Sequence, residues 1–147
     1  MAIKSVRLQN TNLTLLQPPS TELTDPVTGT NYTQNKTYAV TNIIVCNNNE
    51  FNTATFDMHL VPFGDPVSNG QLGNTGTRVI NQLTLVAEET FTFDTEKIIL
   101  GPGDSIVFFA GPSVETFTEV SGTPENPIYG DTLNLTDLTA FISYLEI

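Results

Sequence analysis

The side chains with the most reactive chemistry in this chain are one histidine and one cysteine. His59 and Cys46 are the only candidates for a base and a thiol nucleophile, which must lie within hydrogen-bond reach beside a third, orienting group. Cys46 ends an apolar run, where a free cysteine behaves as a small hydrophobic residue, while His59 falls on the polar side of its own segment. We therefore expect a buried structural cysteine and no nucleophilic pair.

Acidic side chains offer the second kind of chemistry. Neighbouring carboxylates would suit Ca²⁺, which prefers six to eight oxygen ligands, or, if two of them faced each other, glycoside hydrolysis. The candidates are Glu88 with Glu89, Asp94 with Glu96, and Asp57. The chain has no Asp-x-Asp-x-Asp loop, and it has no Trp to form a sugar platform. We predict solvated surface acids, with no catalytic residue, no metal ligand and no cofactor site.

Charge and composition limit the partners. The formal net charge is −11, and the five basic residues, Lys4, Arg7, Lys36, Arg78 and Lys97, form no cluster. Nucleic acid and anionic membranes are therefore not expected partners. The acidity serves either solubility or complementarity to a basic partner surface or a bound cation. Only 14% of residues are charged, and a surface with few charges suits close assembly because few charges must be desolvated.

The elements that must position these side chains are strands. Alternating apolar residues with β-branched and aromatic enrichment mark half-buried strands, and polar turns separate them. The predicted strands cover 3–16 (with a break near 9–12), 38–47, 54–62, 81–85, 89–94, 97–110 (with a turn at 101–104) and 139–147. We predict one all-β domain, 1–147, an antiparallel β-sandwich of jelly-roll or immunoglobulin-like type with long polar loops. At most one helical turn is expected, at 132–140.

Two polar stretches interrupt this pattern. Residues 17–35 contain three prolines and many threonines, and we predict a polar arm or loop that contacts a neighbouring subunit. Residues 111–135 are predicted to form a long loop. The apolar residue at the C-terminus predicts that the last strand is built into a sheet. In that strand Ile142 and Tyr144 should face one way, and Phe141, Leu145 and Ile147 the other.

Most of the phenylalanines fall within or beside the predicted strands. Phe51, Phe56, Phe91, Phe93, Phe108 and Phe109 are the candidate core aromatics. Phe108 and Phe109 are adjacent, so one of them must point away from the other, toward a second core or a subunit interface.

The order of these motifs resembles a family of small virion proteins of tailed phages, including cyanophages. The matching segments are Tyr38-Ala-Val, Ile43-Ile-Val-Cys-Asn47, Leu60-Val-Pro62, Leu83-Thr-Leu-Val-Ala-Glu-Glu-Thr90, Leu100-Gly-Pro-Gly-Asp-Ser-Ile106 and Tyr144-Leu-Glu-Ile147. They cover roughly 38–110 and the end of the chain. This sequence departs from the family pattern at 34–37, where a Pro-Ala-Gly turn is absent, and in the extra 17–35 and longer 111–135 segments.

The resemblance implies a non-enzymatic virion component made in the host cytoplasm. The first expectation is a capsid decoration (cement) protein, a homo-oligomer with a trimer favoured, which binds the major capsid protein or other virion proteins. A tail, neck or baseplate part, including a fibre-attachment module, is the structural alternative. A carbohydrate-binding module on the virion surface is the alternative from another functional class.

Overall fold

The computed structural model of the chain describes residues 2–64, 77–93, 98–123, 125 and 127–147. Within them lie twelve strands: β1 (Ala2–Gln9), β2 (Leu13–Leu16), β3 (Ser20–Thr24), β4 (Asn31–Asn35), β5 (Tyr38–Asn47), β6 (Ala54–Val61), β7 (Arg78–Leu85), β8 (Thr90–Phe93), β9 (Ile98–Leu100), β10 (Ser105–Gly111), β11 (Glu115–Gly122) and β12 (Pro127–Glu146). All their pairings are antiparallel. The all-β prediction is confirmed.

Two sheets pack face to face as a sandwich. One sheet has the order β1-β12-β5-β8, with β9 also on β5 and β11 also on β12, and the other has the order β2-β10-β6-β7. Apart from the β6–β7 hairpin, the main-sheet neighbours are distant in sequence, and the chain passes repeatedly from one sheet to the other. The eight strands in these two orders form a jelly roll rather than an immunoglobulin-like sandwich, and β9 and β11 are additional strands.

The core lies between the sheets and is filled by alternate residues of each strand. Phe56 and Phe108 from the four-stranded sheet are almost fully buried, and their ring centroids are 5.8 Å apart. Ile43 and Ile142 face them from the other sheet. The predicted sidedness of the last strand is confirmed, since Ile142 is buried while Phe141, Leu145 and Ile147 are exposed. Tyr144 packs against this core.

The two polar stretches contain strands. Residues 17–35 form a two-stranded sheet of their own, β3 with β4, so the predicted arm is a β-hairpin. The prediction of a long loop at 111–135 is wrong, because β11 pairs with the first part of β12 there. The helical turn considered at 132–140 is also strand. Neither strand pair was predicted, because both sequences are polar and rich in threonine. Such a two-stranded pair can complete its backbone hydrogen bonds without a buried face, so it needs no alternating apolar residues.

Three other expectations need correction. Cys46 is half-buried rather than in the core, because Val45 takes the inward position and turns Cys46 to the outer face. Phe51 is 85% exposed in the turn before β6. His59 and Asp57 do lie on the face opposite Phe56, but that face is covered, and both side chains are buried.

Candidate docking surfaces

The structure separates the two reactive side chains. Cys46 lies on the outer face of the six-stranded sheet, where the Thr90 hydroxyl lies 3.5 Å from its Sγ. His59 lies on the outer side of the other sheet, and its Nδ1 is 2.9 Å from the Thr77 hydroxyl. The whole sandwich lies between them, so this chain does not assemble the thiol–imidazole pair considered from the sequence.

His59 is held as a neutral structural residue. Burial lowers its pKa below the ordinary value of 6.5, and the positive charge of Arg78 lowers it further, against a smaller opposing effect of Asp57. A neutral ring can both donate and accept, which suits its contact with the Thr77 hydroxyl. The side chain is therefore a neutral, buried and hydrogen-bonded residue in the outer layer of this sheet.

The candidate carboxylates are dispersed. Glu89 accepts a hydrogen bond from the backbone N–H of Val86 within its own turn, and Asp57 accepts one from the N–H of Gln82. Asp94 and Glu96 lie outside the described residues. Among the residues that the structure describes, no group of three or more His, Cys, Asp or Glu side chains could hold a metal ion.

The base of the β3–β4 hairpin, which we call the first arm (residues 20–35), is fixed to the sandwich at the Gly101–Asp104 turn. Gly103 donates its N–H to the Pro18 carbonyl at 3.0 Å, and its own carbonyl accepts from Gln17 Nε2 at 3.1 Å. Gly103 has φ +81°, and a Cβ there would overlap the ring of Phe63. This turn therefore requires glycine both for its backbone and for its contacts.

Asp104 closes the same turn. One carboxylate oxygen accepts from the N–H of Gly101 and the other from the N–H of Phe63, both at 2.9 Å. On the far side of the base, the N–H of Ile147 bonds to the Thr37 carbonyl, and Lys36 forms an ion pair with Glu146 at 3.3 Å. The first arm thus leaves the sandwich from a base that is hydrogen-bonded on both sides.

The tip of the first arm is a tight, ordered turn with an apolar point. Asp25 accepts from the backbone N–H of Val27 at 2.8 Å and that of Thr28 at 3.4 Å, and these bonds lower its pKa. Gly29 completes the turn with φ +72°. Val27 is 90% exposed, so a preformed turn presents an aliphatic side chain to whatever the arm meets.

The second arm consists of β11 and residues 127–134 of β12. It continues β12 beyond the sandwich and is fixed at its base by Arg7, which bonds Glu115 at 2.9 Å and the Thr136 carbonyl at 2.7 Å. The N–H of Val114 also bonds to the Leu135 carbonyl at 2.8 Å. Since β5 pairs Asn47 with Leu138 near this arm and Tyr38 with Glu146 near the first arm, the two arms leave opposite ends of the sandwich.

Between the two arm bases, the outer face of the six-stranded sheet presents exposed apolar side chains among uncharged polar ones. Phe141 lies beside Ile44 and Ser5 in the strand register, and Leu145 pairs with Ala39. Exposed aliphatic residues extend this surface at Ile3, Ile99 and Ile147. Of the described side chains at these outward positions, none is charged between Arg7 at one end and Lys36 at the other. We call this surface the uncharged face.

Several of these features were not found from the sequence. Arg7 was counted only as a dispersed cation, and its partners are more than a hundred residues away along the chain. The Gly-Pro-Gly-Asp turn was recognised, but its hydrogen bonds to Pro18 and Gln17 depend on the tertiary fold. The one available signal for the uncharged face was the alternation of Phe141, Leu145 and Ile147 in the last strand.

No family model, curated protein or solved structure matches this chain. In the part of the chain that the structure describes, there is no helix with the length and apolarity needed to cross a membrane. The features of this chain that bear on function are therefore the arms, the outer faces and the family resemblance of the strand motifs.

Proposed function

We propose that this protein is a non-enzymatic structural component of a tailed-phage virion, a capsid decoration (cement) protein that binds and stabilises the coat lattice. It is made in the host cytoplasm and added to the particle. The observation that carries the proposal is the pair of β-hairpin arms, each fixed at its base, at opposite ends of a jelly-roll sandwich. Such a shape suits simultaneous contact with two neighbours.

Bridging by weak arms is an efficient way to stabilise a lattice. When one arm is bound, the second binds at a high effective concentration, so the combined affinity exceeds that of either contact alone. Rigid bases help because less conformational entropy is lost on binding. The hydrogen bonds of Gly103 and Arg7 supply that rigidity.

The charges of the arms suggest the character of the partner. In sequence, residues 17–35 carry Glu22 and Asp25, residues 111–135 carry four further acids, and neither stretch contains a lysine or arginine. Within a chain of net charge −11, this favours a partner that presents basic side chains to the arms. The major capsid protein is the proposed partner.

The uncharged face supports self-association. Depletion of charge and enrichment of aromatic residues are typical of the centre of protein interfaces. Phe141 and Leu145 supply such a centre, with Ser and Thr side chains around it. We propose that copies of this chain associate through this face, with a trimer favoured, so that each oligomer directs several arms toward the lattice.

The fold and the strand motifs support the proposal by analogy with viral structural proteins. Jelly rolls occur repeatedly in viral capsid domains and in lectins, although a fold alone does not determine a function. The motifs that resemble phage virion proteins lie in β5, β6, β7–β8, the β9–β10 turn and the end of β12, all of them within the sandwich. The two arms lie outside the resemblance, and we propose that they select the site that the protein occupies.

The first experiment is to count copies of this chain per purified virion by quantitative mass spectrometry against the major capsid protein. Hundreds of copies would support a decoration protein on the head lattice. A few to a few dozen would favour the neck, tail or baseplate instead. No copies would overturn the virion proposal.

A second experiment tests bridging by the arms. Purified protein is added to particles that lack it, and occupancy and the temperature of particle disruption are measured. We expect Val27→Asn at the tip of the first arm to lower both, because it removes the apolar contact without adding charge, whereas Val86→Asn, on an exposed turn of the sandwich, leaves both unchanged. Equal occupancy and thermal protection for the two variants would contradict the role of this arm.

A further inference from the structure

A small polar cavity opens on the outer side of the four-stranded sheet, where β6, β7 and β10 meet the turn after β1. Its volume is about 240 Å³. The polar lining residues are Asn10, Thr55, Asp57 and Gln82, and Phe109 supplies an aromatic side chain. One lining residue, Asn10, also donates its backbone N–H to the Asn134 carbonyl of the second arm at 2.9 Å.

Asp57 is the unusual group in this cavity. Its side chain is only 6% exposed, yet the three ion pairs formed by the described residues involve Glu115, Asp137 and Glu146 instead. A buried carboxylate without a cationic partner is costly unless hydrogen bonds compensate. Asp57 receives one such bond, from the backbone N–H of Gln82.

The backbone around that bond is strained. Gln82 has φ +47°, a left-handed value that residues other than glycine seldom adopt, and it sits where the β6–β7 register shifts. Strain of this kind is retained where the surrounding structure holds it, often at binding sites. Here it brings the Gln82 N–H to one oxygen of Asp57, and a carboxylate has room for about three further hydrogen bonds.

The other polar groups of the lining also retain acceptors. Asn10 donates its Nδ2 to the Ala110 carbonyl at 2.7 Å, which leaves its Oδ1 to accept. Gly111 makes this arrangement possible, because a Cβ there would lie 3.0 Å from that Nδ2. The lining therefore combines a carboxylate, side-chain amide oxygens and the Thr55 hydroxyl, all able to accept, and the Asn10 Nδ2 already donates to the Ala110 carbonyl.

We propose that this cavity receives a guanidinium group, the head of an arginine side chain. Guanidinium carries five N–H donors, no acceptor and a permanent positive charge, which matches a lining rich in acceptors around an unpaired carboxylate. The Phe109 ring can add a cation–π contact. In the proposed decoration function, this arginine would belong to the major capsid protein. The cavity's preference for guanidinium does not depend on that function, and only the source of the arginine rests on it.

The test is a titration of the full-length protein with N-acetyl-arginine amide, followed by the backbone amide NMR signals of Thr55, Gln82 and Gly111. We expect saturable shifts confined to this region, and weaker binding of N-acetyl-lysine amide. Asp57→Asn should weaken binding at least tenfold, because it removes the charge from the hydrogen bonds. Phe109→Leu should weaken it about two- to fivefold by removing the cation–π contact.

The matched control is Glu50→Gln, which makes the same charge change at an exposed position. It should bind the probe as the unmodified protein does. An asparagine at position 57 can still accept from the Gln82 N–H, so the strand register should persist, and the amide spectrum checks this. If that spectrum changes throughout, Gly111→Ala replaces Asp57→Asn in the test. This substitution lies in β10 rather than β6, and its Cβ displaces the Asn10 amide, so it should also weaken binding of the probe.

Three results would overturn the proposal: shifts that never saturate, equal weakening in the Asp57 and Glu50 variants, or saturation by a methyl glycoside but not by the arginine probe. Particle binding then separates the two sources of guanidinium. Loss of occupancy with Asp57→Asn indicates an arginine of the partner protein. Unchanged occupancy of Asp57→Asn, while the unmodified protein binds the probe, indicates a free guanidinium ligand. Failure of the unmodified protein to bind particles would defeat the proposed function and leave the cavity result standing.

Discussion

The sandwich and the two arms are stabilised by different interactions. The sandwich has a continuous core in which Phe56, Phe108 and Leu138 are at most 1% exposed. The first arm is paired only within its own two-stranded sheet, and the described residues around its tip are largely exposed. Its order comes from backbone pairing, from the Asp25 turn and from the hydrogen bonds at its base.

This difference implies that folding and recognition depend on separate residues. Burial of apolar surface is the dominant favourable contribution to folding, and nearly all of it lies between the two sheets. Changes in the sandwich should therefore alter the free energy of unfolding. Changes in the arms should alter local order and binding while the sandwich remains folded. The following predictions test this division.

The largest effect is expected from removing residues 144–147. Tyr144 packs its ring on Tyr38 with centroids 4.8 Å apart, and Ile147 donates its N–H to the Thr37 carbonyl. The truncated chain loses the last pairs of the central β12–β5 ladder, and we expect no soluble folded protein. Circular dichroism and a melting curve check this, with deletion of 26–28 at the arm tip as the control. An unchanged melting midpoint after truncation would show that the chain end is dispensable.

The second effect compares two faces of the sandwich. Phe108→Ala removes a fully buried ring and should lower the free energy of unfolding by about 3–5 kcal/mol. Phe141→Ala, on the uncharged face, should cost less than about 1 kcal/mol in the monomer, because its side chain is already 37% exposed. Urea denaturation of both variants measures the difference. Similar losses would mean that the outer face contributes to folding as well as to association.

The sequence predicted the sandwich well because its strands carry strong alternation. The range 38–47 was predicted without error, and the sides taken by Phe56 and Ile142 followed from period-two spacing. The arms were harder to predict, because a ribbon without a buried face needs no apolar alternation. Residues 115–122 are accordingly strand although their two large apolar residues, Phe117 and Val120, are three positions apart and do not alternate.

The cavity around Asp57 was even harder to predict from the sequence. Asp57 and Gln82 are 25 residues apart, and the hydrogen bond between them depends on a register shift that no local pattern encodes. Alternation placed Asp57 and His59 on one side of β6 correctly. It could not show that this side is covered, because burial of an outer face depends on what the rest of the chain places over it.

The third effect compares two glycines with left-handed backbones. Gly103→Ala adds a Cβ that overlaps the Phe63 ring, in addition to backbone strain of about 1–2 kcal/mol, so the sandwich should lose more than that amount of stability. Gly29 has a similar φ but nothing within 4 Å of its Cβ position. Gly29→Ala should therefore disturb only the arm tip. Denaturation and hydrogen exchange together distinguish the two, and equal global losses would show that the arm folds as one unit with the sandwich.

The fourth effect is a pH dependence from His59. Its pKa is lowered in the folded protein, so the unfolded chain binds the proton first as the pH falls through 6.5. The contribution of neutral His59 to the free energy of unfolding is therefore fully present above this pH. It decreases below this pH, by at most about 1.4 kcal/mol per pH unit. Denaturation midpoints between pH 7.5 and 5.5 measure the slope. His59→Gln, which does not titrate, should flatten it, and an identical slope in this variant would assign the dependence to carboxylates.

The smallest effect on global stability is expected from Asp25→Ala, although it should affect binding. Hydrogen bonds from Val27 and Thr28 hold the Asp25 carboxylate in its ionised form, and losing them should release the turn that presents Val27. The melting midpoint should stay unchanged while amide exchange at 27–29 accelerates. Asp25→Asn keeps an acceptor and should preserve much of the turn. If the alanine variant lowered the melting midpoint as well, the arm would contribute to folding, and the separation between a folding sandwich and recognising arms would have to be abandoned.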